Sequence, residues 1–203
     1  YICKVRKLIL IVWVDDIFLL YPTACEQHAS VCWADLQAHM DLDKWQEVRD
    51  CRGAVVTRDR ANRRMHISQQ QAFEKLLDKT NFNECKAAPT PMAANVKLTK
   101  TDCPDERERQ VMVDDQKWYI TVIASFIWFV AWTRPDLAFP VSVLCRFMHN
   151  PGAIHLTCLK RLLRYLRGTS KHGLLYDFRK TAADPGIVGY YDAAHADCPD
   201  TLR

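Results

Sequence analysis

Two adjacent carboxylates, Asp15 and Asp16, interrupt an otherwise apolar stretch in which Leu8-Ile9-Leu10-Ile11-Val12-Trp13 comes before and Phe18-Leu19-Leu20-Tyr21 after. The flanking runs are rich in branched and aromatic side chains, the composition of strands buried on both faces rather than of a half-exposed sheet. Joined over so few residues, the two runs make a β-hairpin with the acids at its tip. Two readings meet there. Asp favours turns, but two-residue hairpin loops prefer Asp-Gly or Asn-Gly because both central positions need positive φ, so Asp-Asp is a poor turn. Paired carboxylates at a strand junction repel each other unless a divalent cation sits between them. Mg²⁺ accepts one or two protein carboxylates together with phosphates and water.

Further along, Ala29, Cys32, Trp33, Leu36 and Met40 repeat at helical spacing and predict one apolar face of a helix packed on a sheet. Residues 41–52 are polar and read as a connection. Gly53-Ala54-Val55-Val56-Thr57 and Met65-His66-Ile67 predict a second hairpin across a charged turn. Ser68-Gln69-Gln70-Gln71 matches a capping box, which predicts a helix starting at Ser68 with Phe73, Leu76 and Leu77 inward. Residues 86–110 hold Pro89, Pro91 and Pro104 with many charges and no apolar period, the composition of a linker that does not pack.

Beyond it, residues 118–132 are strongly apolar. The run lies between Lys117 and Arg134 and contains Thr121 and Ser125, so it falls short of the ~20 residues that a membrane span needs and reads as a core helix. Pro135 suits the start of a helix running to about Met148. Pro140 inside that helix is expected to cost about 3 kcal/mol. Leu159, Leu162, Leu163 and Leu166 form the inner face of a further helix that Gly168 is expected to stop in left-handed geometry. Strands return at Gly173-Leu174-Leu175-Tyr176 and at residues 186–192. The fold class expected is α+β.

Charge is nearly balanced, 28 Lys+Arg against 24 Asp+Glu, so the total says little about partners. Its distribution says more: residues 155–180 carry Lys160, Arg161, Arg164, Arg167, Lys171, Arg179 and Lys180 against the single acid Asp177. Lys160, Arg164 and Arg167 lie at i, i+4 and i+7, a stripe opposite the leucines that either tracks phosphates or forms a solvated face. The 9 Cys include no C-x-x-C pair and fit reduced thiols in an intracellular setting. Cys145, His149, His155 and Cys158 have the composition of a zinc site without the paired spacing of zinc fingers. The chain opens on Tyr1 and runs straight into a strand, as a fragment of a longer product would.

In this order the motifs resemble the polyprotein of Ty1/copia-type retrotransposons, from the reverse transcriptase active site to the start of ribonuclease H. Val14-Asp15-Asp16-Ile17 is similar to the family's Tyr-Val-Asp-Asp box. Cys85-Lys86-Ala87-Ala88-Pro89-Thr90-Pro91-Met92 resembles the end of its polymerase region. Thr133-Arg134-Pro135-Asp136-Leu137-Ala138-Phe139 is the most distinctive piece, followed by Arg146-Phe147-Met148, Pro151, His155 and Leu159-Lys160-Arg161-Leu162-Leu163-Arg164-Tyr165-Leu166-Arg167-Gly168-Thr169.

The resemblance implies an RNA-directed DNA polymerase that uses two Mg²⁺ ions, with an RNA template, an RNA/DNA duplex and dNTPs as partners and no membrane. Asp15 and Asp16 match two of the three metal carboxylates, the third lying upstream in the family, and Asp192 matches the first metal carboxylate of ribonuclease H. Its implied divisions are a distal palm and thumb part in 1–85, a linker in 86–112, a helical connection in 113–172 and an incomplete ribonuclease H-like module in 173–203. The implied location is intracellular, in a cytoplasmic virus-like particle or the nucleus. Asp43, Ala124 and Asp197 stand where the family commonly has Gly, Ala194-His195 replace Asp-Trp, and Trp13 replaces Tyr. These departures suggest strained loops and a drifting, inactive element. The alternatives are a non-catalytic nucleic-acid-binding remnant, carried by the Lys160, Arg164 and Arg167 stripe, and a structural relic of a decayed element.

Overall fold

The computed structural model describes residues 1–5, 7–51, 53–179, 189 and 200. They form an α+β chain, 46% helical, with two antiparallel sheets. It divides into two compact units, Tyr1–Glu47 and Val48–Arg203.

The first unit holds β1 (Ile2–Cys3), β2 (Leu8–Trp13), β3 (Asp16–Leu20) and α1 (Glu26–Gln37), with sheet order β1-β2-β3. Branched side chains favour the extended backbone of β2 and β3, which pair from Ile9↔Leu20 to Trp13↔Asp16. The expected burial on both faces does not occur. Ile11, Val12 and Trp13 are 46%, 50% and 56% exposed, and in β2 only Leu8 is fully buried. Strand propensity selects the backbone, whereas burial needs a second layer over each face, and an apolar run carries no information about that layer. The face predicted for α1 is likewise shallow: Ala29 is buried, Cys32, Trp33 and Leu36 are half-buried, and Met40 lies beyond the helix and exposed. Segment 41–45 returns to α1 through Trp33, whose indole Nε1–H donates to the Asp43 carbonyl (3.3 Å) and whose ring stacks on Trp45.

The second unit begins with a sheet of order β4-β5-β6-β7, formed by Asp50–Cys51, Ala54–Asp59, Arg64–Ser68 and Leu174–Asp177. Strand β7 joins β6 from far along the chain in the register Arg64↔Asp177 to Ile67↔Leu174, with an Arg64–Asp177 ion pair of 3.0 Å at its end. Gly173 leads into β7 with its Cα against the Ile67 carbonyl, where a Cβ would come within 2.3 Å of the oxygen. Helix α2 (Gln70–Thr80) follows β6 one turn position later than the capping box predicts. Its N-cap is Gln69, and the Ser68 hydroxyl accepts only from the Gln70 N–H (3.2 Å), because the Gln69 side chain is turned inward to Thr133.

Helices α4 (Val113–Trp132), α5 (Ala138–Cys145) and α6 (Ala153–Gly168) close over α2 to make the core. Phe73, Ile123, Phe126, Leu159, Leu162, Leu163 and Leu166 are all 0% exposed, and Phe73 meets Phe129 edge to face at 4.6 Å. The Tyr119 hydroxyl, buried in α4, donates to the Leu144 carbonyl (2.9 Å), and burial pushes its pKa well up.

Four expectations are corrected here. Pro140 costs little, because a 3₁₀ turn occupies Pro135–Leu137 and α5 starts at Ala138, which puts Pro140 in a first turn whose N–H groups have no intrahelical acceptor. Gly168 does not stop α6 by positive φ: it is the last helical residue, Thr169 caps at φ −125°, and a Cβ on Gly168 would lie 2.9 Å from that of Ala87. Asp43 and Ala124 do not take positive φ, so the absence of Gly there leaves no backbone strain. The Pro-rich segment packs instead of dangling. Leu98 is 2% exposed, Ala88 is buried with its N–H on the Arg164 carbonyl (3.2 Å), and Glu106–Val111 form helix α3 capped by Asp105. The lack of an apolar period excludes a regular amphipathic element there, not burial: Leu98 and Ala88, with the partly buried Met92, Val96 and Cys103, seat the segment. The strand expected at 186–192 lies outside the described residues. Among the described residues no helix is long and apolar enough to cross a membrane.

Candidate metal and nucleic-acid sites

The Trp13↔Asp16 pair fixes the hairpin loop as Val14-Asp15, one residue earlier than the Asp15-Asp16 tip expected from the sequence. Val14 takes φ 53°, an uncommon left-handed conformation for a β-branched residue, and Asp16 becomes the first residue of β3. Both carboxylates are exposed at the end of the ribbon. Their hard oxygen donors suit Mg²⁺, and two of them make a partial ligand set that substrate phosphates and water complete. Among the described residues no group of three or more His, Cys, Asp or Glu is placed to hold a metal ion. The zinc reading of Cys145, His149, His155 and Cys158 falls on this ground. His155 instead packs tilted against Phe147, ring centroids 4.1 Å apart, with Nδ1 accepting from the Gly152 N–H. Asp192 lies outside the described residues.

On α6 the basic stripe is partly engaged within the protein. Arg164 Nε donates to the Lys86 carbonyl (2.8 Å), Arg167 Nε to the Asn83 carbonyl, and neighbouring Arg161 to the Thr90 hydroxyl (2.8 Å). These three guanidinium groups hold the irregular segment after α2 against α6. Lys160 and Arg167 remain exposed.

The most developed polar constellation lies at Thr133-Arg134-Pro135-Asp136, where the chain turns from α4 into α5. Arg134 is only 1% exposed, an unusual position for a cation without partners. Its fork meets the Asp136 carboxylate in two bonds, Nε to Oδ1 (2.9 Å) and Nη2 to Oδ2 (2.8 Å). The other donors reach the end of α6, Nη1 to the Thr169 carbonyl (3.1 Å) and Nη2 to the Thr169 hydroxyl (2.8 Å). Phe73 and Tyr165 present ring faces to the guanidinium at 5.5 and 5.8 Å. Tyr165 completes the set by donating to Asp136 Oδ2 (3.2 Å). Burial pushes the Asp136 carboxyl upward, but the Arg134 fork and the Tyr165 hydroxyl outweigh it and hold Asp136 below the ordinary carboxylate range. Beside it Thr133 donates to Gln69 Oε1 (2.8 Å), both residues buried. The network ties α2, α4, α5 and α6 at one point, a structural role for the most distinctive motif in the chain. An Arg-Pro pair reads as a surface break in sequence, and Asp two residues after the Arg was the one signal of an ion pair.

No family model matches the chain, and no solved structure matches it. Curated relatives do. A retrovirus-related Pol polyprotein from transposon TNT 1-94 of Nicotiana tabacum is 31% identical over 189 residues, 92% of this chain and 14% of that protein. One from transposon RE2 of Arabidopsis thaliana is 37% identical over 132 residues, 64% of this chain and 8% of the relative. A putative transposon Ty5-1 protein of Saccharomyces cerevisiae is 30% identical over 129 residues, 64% of this chain and 39% of the relative. The chain spans a small part of the length of the polyproteins it matches, and it belongs with the Pol polyproteins of copia-type retrotransposons.

Proposed function

We propose that this segment contributes the metal-holding hairpin of an RNA-directed DNA polymerase. Asp15 and Asp16 supply two of the three carboxylates, and the chain is inactive alone because its own donor set is one short. The observation that carries the reading is the exposed pair of acids where β2 turns into β3, held by a two-residue loop. Asp15 and Asp16 would hold Mg²⁺ by their carboxylate oxygens, and the chemistry so supplied would be charge neutralisation on the triphosphate and activation of the primer hydroxyl. Asp16 is positioned by the strand register and Asp15 by the Val14 backbone. In this reading residues 1–85 are palm and thumb, 86–112 join them to a helical connection in 113–172, and 173–203 open a ribonuclease H-like module with Asp192 as its first metal carboxylate. RNA template, RNA/DNA duplex and dNTP are the partners, inside a virus-like particle or the nucleus.

The full chain, mixed with a primed RNA template, dNTPs and Mg²⁺, is expected to add no nucleotide; robust synthesis would defeat the incomplete-site reading. Mn²⁺ serves as a paramagnetic probe of the same oxygen donors. It is expected to broaden the amide signals of residues 14–17 in the wild type and to leave them sharp in D15N/D16N. Equal broadening in both proteins removes the metal assignment.

A second reading, duplex binding without catalysis, draws support from the exposure of Lys160 and Arg167 along α6. Replacing both by Gln is expected to lower the salt slope of RNA/DNA binding by about one for each phosphate no longer neutralised. An unchanged slope leaves the stripe with its structural role alone.

A further inference from the structure

The first turn of α6 is closed by an imidazole. Gly152 carries no side chain to cap the helix, so the orphan backbone donors at this end need another acceptor. His155 Nδ1 provides it, accepting the Gly152 N–H at 2.9 Å while the ring is fully buried against Phe147. An N–H pointing at Nδ1 leaves only Nε2 to carry the proton of the neutral ring, and Nε2 has no hydrogen-bond partner in its buried position. The ring is thus committed to one tautomer and one charge state. A second proton, on Nδ1, would set two N–H groups against each other at the helix start.

The surrounding backbone has little room to yield. A Cβ on Gly152 would lie 2.3 Å from the Asp102 carbonyl oxygen, so the loop before α6 sits directly on the 3₁₀ turn Lys100–Asp102. Asn150 adds a bond to the Pro104 carbonyl (3.0 Å). The charged groups on the packed elements are few. Asp102 is the carboxylate that acts on His155, and it is itself held by the Thr99 N–H and hydroxyl (2.7 and 2.9 Å). Arg146 lies over the Phe147 ring at 5.3 Å, and Glu108 lines the open groove beside Gly152.

We infer that His155 is an acid-sensitive latch: its protonation removes the acceptor for the Gly152 N–H, opens the first turn of α6 and releases residues 99–104 seated on it. The direction of its titration agrees. Burial lowers the imidazole pKa below its ordinary value, only partly opposed by the Asp102 charge. A group with a depressed folded-state pKa contributes stability that is present above the unfolded value of 6.5 and is lost as pH falls through the folded value.

Hydrogen exchange on the full chain between pH 7.5 and 5 tests this above the range where carboxylates titrate. Corrected for intrinsic exchange, protection at Gly152 and the first-turn amides of α6 is expected to fall by up to about tenfold per pH unit from 6.5 down to the folded value and to level off below it. In H155N, where the amide oxygen still accepts but does not titrate, protection is expected to stay flat. A wild-type profile parallel to that of H155N overturns the latch. Imidazole ¹⁵N shifts of the wild type at pH 7.5 give a check that needs no variant: a proton on Nδ1 instead of Nε2 overturns it too.

Discussion

The hairpin of the first unit and the helical layer of the second both carry runs of apolar side chains, and these end in opposite states. In β2, Ile11, Val12 and Trp13 stand about half exposed, whereas Leu159, Leu162, Leu163 and Leu166 of α6 are sealed between α2, α4 and α5. The difference lies in what each element is given to pack against. A helix with its leucines on one stripe needs a single partner face, and three are present. A strand pair of branched residues has two faces to cover, and a three-stranded sheet with one shallow helix does not supply two layers. Stability should therefore reside in residues 48–179, and the hairpin should tolerate change.

The strongest way to break this contrast is to strike the ion pair that joins the helices. Asp136→Ala leaves the buried Arg134 guanidinium without its carboxylate, and about 3 kcal/mol of stability should be lost, the lower end for a buried pair because Asp136 itself is 38% exposed, read by urea denaturation of the full chain. Acid should weaken the same link. With the Asp136 pKa held below its ordinary value, its contribution is complete above the unfolded carboxylate range and is lost as pH falls through the folded value, so the wild type should lose stability more steeply in acid than D136A. A loss under about 1 kcal/mol in D136A would show that the Thr169 bonds and the two rings alone hold Arg134.

Leu162→Ala comes next. The side chain is wholly buried at the centre of α6, and its truncation should cost about 2–5 kcal/mol, the spread set by how far the neighbours close on the cavity. The transition should move in midpoint and keep its denaturant slope. A changed slope would mean that α6 unfolds separately from the sheet, and the second unit would then be two cooperative blocks instead of one.

Legibility in sequence followed the same division. The leucine stripe of α6 and the two hairpins were readable because a period of 3.6 or 2 is a direct statement about which side chains share a face. The tip of the first hairpin was readable to within one residue, and that residue matters: Val14-Asp15 forms the loop, although Val is a poor turn residue, because the strand register closes on Trp13↔Asp16. The burial of Arg134 was not readable: Asp136 two residues on hints at an ion pair, but a cation ahead of proline looks like solvent-facing loop until α6 brings Tyr165 and Thr169 around it. Leu98 and Ala88 were hidden for a related reason: isolated anchors in a Pro-rich segment have no period to announce them.

The smallest effect belongs to the hairpin and sharpens the comparison most cleanly. Ile11→Thr keeps β-branching, and with it the preference for extended backbone, while replacing an exposed apolar surface by a hydroxyl. Its register partner Phe18 is only half-buried, so no sealed core is opened by the change. The thermal transition of the full chain should stay within about 0.5 kcal/mol of wild type, as expected for a surface position. Aggregation should fall, because Ile9, Ile11, Val12 and Trp13 form an apolar ribbon with β3 as a free sheet edge among the described residues. A loss of several kcal/mol would mean that β2 is covered in solution by something the exposed ribbon does not reveal, and the contrast between the two units would then be one of partners instead of packing.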